Sequence, residues 1–156
     1  MSFEITTEFL EKLTSYIEGS KNKSIIGLFE EMHYADVAEI LDELSFDKVV
    51  YIIKLLDSEK TSAVLMELDE DIREKILQNL SAKEIAEEVE ELDSDDAADI
   101  IGELSEERQE AVMSQIEDEE QVKEIEELLT YDEDSAGGLM AKELVKVNEN
   151  WSVLKC

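Results

Sequence analysis

Residues 68–103 read as three consecutive units of twelve residues, LDEDIREKILQN, LSAKEIAEEVEE and LDSDDAADIIGE. Each unit opens with a leucine followed by Asp or Ser, which can accept hydrogen bonds from the free N–H groups at a helix start. In the first and third units, the residues three and four positions before the next leucine are apolar and share one helix face. In the second unit Glu88 takes one of these positions. The stretch predicts a series of short amphipathic helices.

The same spacing extends over most of the chain without an insertion. Its landmarks are Leu44, Leu56, Leu68, Leu80, Leu92, Leu104, Ile116 and Leu128. The predicted helix caps that follow them are Ser45, Asp57, Asp69, Ser81, Asp93 and Ser105. Ser81 with Glu84 predicts a capping box, and Asp93 with Asp96 predicts a variant of it. Glu88 and Glu124 alone interrupt the apolar positions.

Two further helices are expected ahead of the repeat. The first covers about Glu4 to Glu18 and ends at Gly19 and Ser20, and the second begins at a Ser24 cap. Helices of two to three turns, joined by one or two cap residues, are too short to be stable alone and must pack on their neighbours. The chain has no proline and only five glycines. We therefore predict an all-α fold, a superhelical array of short helices.

The pattern changes after Thr130. The segment YDEDSAGGLM, residues 131–140, holds two of the five glycines. Beyond it, Leu144, Val145 and Val147 predict a short strand, and Trp151 to Cys156 predict the start of a helix. We predict an acidic helical domain over residues 1–130, then a linker and the truncated start of an α/β domain over residues 131–156.

The charge limits the classes of partner. The chain has 43 Asp plus Glu against 14 Lys plus Arg, a formal net charge of −29. Such a surface repels nucleic acid and anionic membranes. It attracts divalent cations or a basic protein, although the same charge is also explained by a solvated helix surface.

Neither a secretory nor a membrane segment is predicted. The N-terminus has no basic region, and the most apolar stretch, Val49 to Leu56, is interrupted by Lys54. The single cysteine, Cys156, excludes an intrachain disulfide, which suits the cytosol. We expect no direct membrane contact by this part of the chain.

Catalysis is poorly supported. The chain has one histidine, His33, at a predicted helix start, where a structural role is the simpler interpretation. Five residues fall at positions one, three, six, eight and twelve of a calcium-binding loop: Asp132, Asp134, Gly137, Leu139 and Glu143. Ala136 stands at the fifth position, where that loop needs an oxygen ligand. We predict that the protein is not an enzyme and rank a calcium loop as a minor alternative.

A second acidic group offers a magnesium site. Asp95 and Asp99 are four residues apart and share a helix face. Two carboxylates can hold hydrated Mg²⁺, which keeps several of its water molecules. From the residues alone, capping and helix-dipole roles for Asp93, Asp95 and Asp96, with Asp99 on a solvated face, are the favoured explanation.

Three segments resemble the MgtE-type magnesium transporter and channel family. They are EDSAGGLM (133–140) with the following LVKVNENWSV, HYADVAEILDEL (33–44) and EELDSDDAADII (90–101). In the second segment Tyr34 stands where the family has proline. The resemblance extends from about Leu28 to Leu154 and covers the family's N domain and the start of its first CBS domain.

The resemblance implies a function. Family members are homodimers at the cytoplasmic side of the plasma membrane, in which Mg²⁺ between the N domain and the CBS domains stabilises a closed pore. The family's interface carboxylates fall on Asp95 and Asp99 in this sequence. A further family acid falls on Ala63, where Glu59 or Glu67 could substitute. The rival interpretation is an acidic helical-repeat scaffold that binds a basic partner.

Overall fold

The computed structural model describes residues 5–131, 135–137 and 140, and these residues form ten α-helices and no strand. In chain order the helices are α1 Thr7–Glu18, α2 Asn22–Phe29, α3 Tyr34–Asp42, α4 Phe46–Ile53, α5 Ser58–Glu67, α6 Glu70–Gln78, α7 Ala82–Val89, α8 Ser94–Gly102, α9 Glu106–Met113 and α10 Glu119–Leu128. The prediction of an all-α array is confirmed. The predicted strand at 144–147 and the helix start at 151 lie outside the described residues.

The six predicted cap residues all occupy N-cap positions, those of α4 to α9. Only Asp57 and Ser81 of these six make a side-chain capping bond, whereas Ser45, Asp69, Asp93 and Ser105 make none. Asp57 accepts a hydrogen bond from the N–H of Lys60 at 2.9 Å. Ser81 and Glu84 form the predicted capping box, with bonds of 3.2 and 2.7 Å. The prediction of a variant capping box at Asp93 and Asp96 is wrong, because the Asp93 side chain makes no capping bond.

The predicted helix starts near the N-terminus need correction. α1 begins at Thr7, where the Thr6 side chain accepts from the Phe9 N–H. Its end at Gly19 and Ser20 is confirmed, and Ser20 has a left-handed backbone with φ of 50°. α2 begins at Asn22 with Lys21 at its N-cap, directly after this turn, so Ser24 lies inside α2 and does not cap it.

The landmark leucines from Leu44 to Leu104 lie just after their helices, whereas Leu128 is the last residue of α10. Five landmark N–H groups each donate to the carbonyl three residues earlier, the tight turn that satisfies the last carbonyls of a short helix. These bonds run from Leu44 to Leu41, from Leu68 to Leu65, from Leu80 to Leu77, from Leu92 to Val89 and from Leu104 to Ile101. Except between α5 and α6, where two residues separate the helices as predicted, the linkers are longer than predicted, because the landmark and its turn belong to the linker.

Helices two apart in sequence pack side by side. α3 contacts α5, α5 contacts α7 and α7 contacts α9, which gives a continuous row, and α8 likewise contacts α10. The apolar residues that precede the landmarks form the core between these helices. They include the pairs Ile40 and Leu41, Ile52 and Ile53, Val64 and Leu65, Ile76 and Leu77, and Ile100 and Ile101, all buried. Within the described ranges, no helix is both long and apolar enough to cross a membrane.

Side chains near a helix start bind the end of the helix three positions earlier. In α9, the guanidinium of Arg108 donates to the carbonyls of Leu77, near the end of α6, and Leu80, just after it, at 3.0 and 2.8 Å. In α10, the amide of Gln121 donates to the carbonyls of Val89, the last residue of α7, and Leu92, just after it, at 3.1 and 3.0 Å. These bonds satisfy carbonyls that the short helices leave without an intrahelical partner.

The same relation holds earlier in the array. Lys60 of α5 donates its ammonium to the carbonyl of Met32 after α2. In α7 the corresponding residue is the acid Glu84, and Lys54 at the end of α4 donates to it at 3.1 Å. Each of these contacts joins helix n to helix n−3, so the array is connected by polar bonds as well as by its core.

We expect Arg108→Met to lower the free energy of unfolding by about 1–3 kcal/mol, because the Leu80 carbonyl loses its side-chain donor and the Leu77 carbonyl keeps only the bond from the Leu80 N–H. Urea denaturation measures this change. Lys123→Met is the matched control, since Lys123 is exposed on α10 and the charge change is the same. The control should stay within about 0.5 kcal/mol of the unmodified protein. Equal losses in both variants would show that charge, not capping, is responsible.

Candidate metal site on helix α8

The acidic start of α8 is positioned by its apolar face. Ala97, Ala98, Ile100 and Ile101 are buried and fix the helix against the core. Asp95 and Asp99 are half-buried and lie on one face of α8, four residues apart. Asp95 and Asp96 lie in the first turn, where the positive end of the helix dipole favours carboxylates. The structure therefore places both predicted ligands on one surface of the domain.

Asp99 lines a cleft of about 240 Å³ between α6, α8 and the end of α10. Two further carboxylates line this cleft, Glu70 from α6 and Glu103 from the end of α8. Its other walls are mainly apolar and include Leu128, Leu129 and Tyr131. The cleft thus combines three acids with an apolar wall.

A single arginine stands beside these acids. Arg73 donates from Nε to both carboxylate oxygens of Glu103, at 2.9 and 3.1 Å, and both side chains are nearly buried, at 13% and 12% exposure. Its Nη1 donates to the carbonyls of Leu65 and Leu68 at the end of α5, at 3.3 and 3.4 Å. Arg73 therefore joins α5, α6 and α8 at the cleft.

The pKa of Arg73 is influenced by these neighbouring acids. The hydrogen bond to Glu103 is the largest cause that raises the pKa of Arg73, and the charges of Glu70 and Asp99 raise it further. The guanidinium therefore offsets part of the negative charge that a cation at Asp99 would meet. Sequence reasoning missed Arg73, Glu103 and Glu70. The signal available was a cation near a helix start, one position later in its unit than Lys60 and Arg108.

The alternative acids on α5 lie elsewhere. Glu59 is exposed and lines a separate cleft of about 410 Å³ together with Ala63, Tyr34 and Ile26. Glu67 is exposed at the far end of α5. Neither Glu59 nor Ala63 is part of the cleft that contains Asp99. The structure brings Asp95 and Asp99 to one surface and leaves Glu59 at another.

The donor chemistry at α8 fits a hydrated magnesium ion. Carboxylate oxygens are the ligands that Mg²⁺ prefers, and the ion commonly keeps several water molecules. In the part of the chain that the structure describes, no three His, Cys, Asp or Glu side chains are grouped so as to hold a metal by themselves. Asp95 and Asp99 could therefore supply two ligands, and water or a docking partner would supply the rest.

Two other sites were considered from the sequence, His33 and the calcium-loop segment. His33 occupies the N-cap of α3, where Nδ1 accepts from the Ala35 N–H at 3.3 Å, in agreement with the structural role predicted. Most of the calcium-loop segment lies outside the described residues. Of its members, Gly137 is described, and a Cβ there would come within 2.6 Å of the Tyr131 ring. The turn at 135–137 thus folds back against Tyr131.

The family model of the MgtE intracellular N domain matches residues 32–134. Since this match covers well over half of the sequence, the chain belongs to the MgtE intracellular N domain family. None of the curated proteins compared with it matches.

Two solved structures share the fold. One is described as the soluble part of a magnesium transporter, with a TM-score of 0.74 and 21% identity, covering 88% of this chain and 54% of that one. The other is the cytosolic domain of the Mg²⁺ channel MgtE in complex with ATP, with a TM-score of 0.74 and 27% identity, covering 85% of this chain and 54% of that one. The chain therefore spans about half the length of these solved chains.

We expect Glu103→Gln to destabilise the domain by about 3 kcal/mol, because it leaves the nearly buried guanidinium of Arg73 without its charge partner. Chemical denaturation checks this value. Glu74→Gln on the same helix as Arg73 is the control, since Glu74 is exposed and its change should cost less than about 0.5 kcal/mol. A loss as small as that of the control would contradict a structural role for the pair.

Proposed function

We propose that this chain is the cytosolic regulatory domain of a magnesium transporter or channel, and that it senses Mg²⁺ by docking onto CBS domains of the same protein. Docking favours the closed pore. The observation that carries this proposal is the family match over residues 32–134. The proposal includes a helical N domain over 1–130, the start of a CBS domain over 131–156, a homodimeric full-length protein, and a position on the cytoplasmic side of the plasma membrane.

The charge of the domain supports a cation-dependent contact. With a net charge of −29, the chain repels any other acidic surface that approaches it. Divalent ions between two such surfaces offset this repulsion and allow close contact. An ion that binds only the docked state shifts the population toward that state by its differential affinity. Asp95 and Asp99 are the proposed ligands on this side of the contact.

The arrangement of α8 favours weak binding, as a sensor of a cytosolic ion needs. Asp95 and Asp99 offer two carboxylates, and Arg73 lies close enough to Asp99 for their charges to interact. A nearby guanidinium opposes a cation at Asp99. The proposed site therefore depends on ligands from the docking partner, so binding and docking are linked.

Limited proteolysis tests the docking. The protein is extended through its downstream cytosolic domains and digested at residues 131–142, with Mg²⁺ or with a monovalent salt at the same ionic strength. We expect Mg²⁺ alone to protect this segment. Identical cleavage in both salts would overturn the sensing role.

We expect the double variant Asp95→Asn with Asp99→Asn to weaken this protection, so that at least about tenfold more Mg²⁺ is needed, which corresponds to the loss of about 1.4 kcal/mol. The control is Asp47→Asn with Asp71→Asn, which removes the same charge from exposed positions on α4 and α6. An unchanged Mg²⁺ midpoint in the first variant would reject these two ligands. A parallel series with Glu59→Gln and Glu67→Gln tests the alternative acids.

A second candidate function is an acidic scaffold for a basic protein. The cleft around Ala63 favours it, because Tyr34 and Ile26 are exposed there, at 39% and 40%, beside Glu30 and Glu59. Aromatic and apolar groups flanked by acids suit a basic, partly apolar segment. Binding to such a partner would need no divalent ion, which separates it from the Mg²⁺-dependent contact.

A further inference from the structure

Glu88 occupies a position of the repeat that holds a buried apolar residue in most of the other units. It lies four residues before a landmark leucine. The residues at this position in six other units are Ile40, Ile52, Val64, Ile76, Ile100 and Val112, all with 0% exposure. The one other acid at this position, Glu124, is engaged in a polar or electrostatic interaction. Glu88 is therefore a half-buried carboxyl at a position that holds a fully buried apolar residue in those six units.

The Glu88 carboxyl has no partner for one of its oxygens. Its Oε2 is buried and makes no hydrogen bond to any described residue. Glu88 lies on α7, which packs between α5 and α9. An ionised carboxylate with an unsatisfied oxygen in such an interface is costly, and a protonated carboxyl costs much less.

The charged groups around Glu88 are acids. Asp57 faces it from the start of α5, and Glu84, Glu87 and Glu91 surround it on α7 itself and just beyond its end. The nearby cations are already engaged with other groups. Lys54 binds Glu84 at 3.1 Å, Lys83 binds Glu87 at 3.3 Å, and Arg108 of α9 binds the carbonyls of Leu77 and Leu80.

Burial, and then these acids, raise the pKa of Glu88 to about 8. In the unfolded chain a glutamate titrates near 4.5. Between these two values the folded state keeps a proton that the unfolded state has lost, so stability is full below the lower value and is lost as the pH rises through the upper one.

We propose that protonated Glu88 keeps the α5–α7 contact closed, and that ionisation of Glu88 loosens this contact, which makes this step of the superhelix a proton-responsive joint. The joint is independent of the proposed magnesium site on α8. It uses α5 and α7, the middle of the continuous row of helices from α3 to α9.

Equilibrium unfolding in urea between pH 6 and pH 9 tests whether Glu88 holds the proton that stabilises the folded state. Over this range the unfolding constant of the unmodified protein should rise by up to roughly tenfold per pH unit, the limit for one proton, and level off above about pH 8. Glu88→Gln should remove this dependence. Glu126→Gln, at an exposed position on α10, should retain it. A flat profile in the unmodified protein, or the same slope in Glu88→Gln, would overturn the proposal.

Hydrogen exchange tests whether the loosening occurs at the α5–α7 contact. Exchange rates, corrected for the intrinsic effect of pH, are compared at pH 7 and pH 9 in the unmodified protein and in Glu88→Leu, which restores an apolar residue as in the other units. Protection should fall at pH 9 in α5 and α7 by several fold more than in α1 and α10, and only when Glu88 is present. A uniform fall over all helices, or a fall that persists in Glu88→Leu, would reject the joint.

Discussion

The ends of the helices are the constraint on which the rest of this structure depends. Helices of two to three turns leave a large share of their backbone carbonyls without intrahelical partners, and isolated helices of this length do not persist in water. The chain meets this requirement in two ways. Landmark leucines close tight turns onto the carbonyl three residues before them, and at several ends a polar side chain from a later helix donates to the remaining carbonyls. The twelve-residue period brings the donor into register with the carbonyls it must reach.

The acidic face of α8 follows from the same constraint. The residue of α8 that corresponds to Lys60 and Arg108 is Asp96, which as a carboxylate cannot donate to the carbonyls at the end of α5. Arg73 of α6 supplies these donors instead and holds Glu103 with the rest of its guanidinium. The surface with Asp95 and Asp99 is thus acidic on the outside and supported by a nearly buried ion pair beneath.

Much of the fold could be predicted from the sequence, because spacing and capping are local. The landmarks, the six N-caps and most of the buried pairs before the landmarks are as expected, and Ser81 and Glu84 form their box. The predicted start of α2 was wrong because it depends on the left-handed turn at Ser20, which a serine at position 24 does not reveal. The candidate site could be predicted from the sequence only in part. Asp95 and Asp99 share a face by helix geometry, whereas Arg73 and Glu103 meet across 30 residues of sequence, which no local pattern reports.

The bonds between helix n and helix n−3 also bear on how the array folds. In repeat proteins in which each unit touches only its neighbours, stability is approximately a sum of single-unit and nearest-neighbour contributions. Here the carbonyls at the end of α7 depend on Gln121 in α10, and those at the end of α6 depend on Arg108 in α9. Fraying of one terminal helix therefore weakens a helix well inside the array. Because these bonds couple helices three positions apart, they favour unfolding in blocks of several helices over the separate unfolding of single helices.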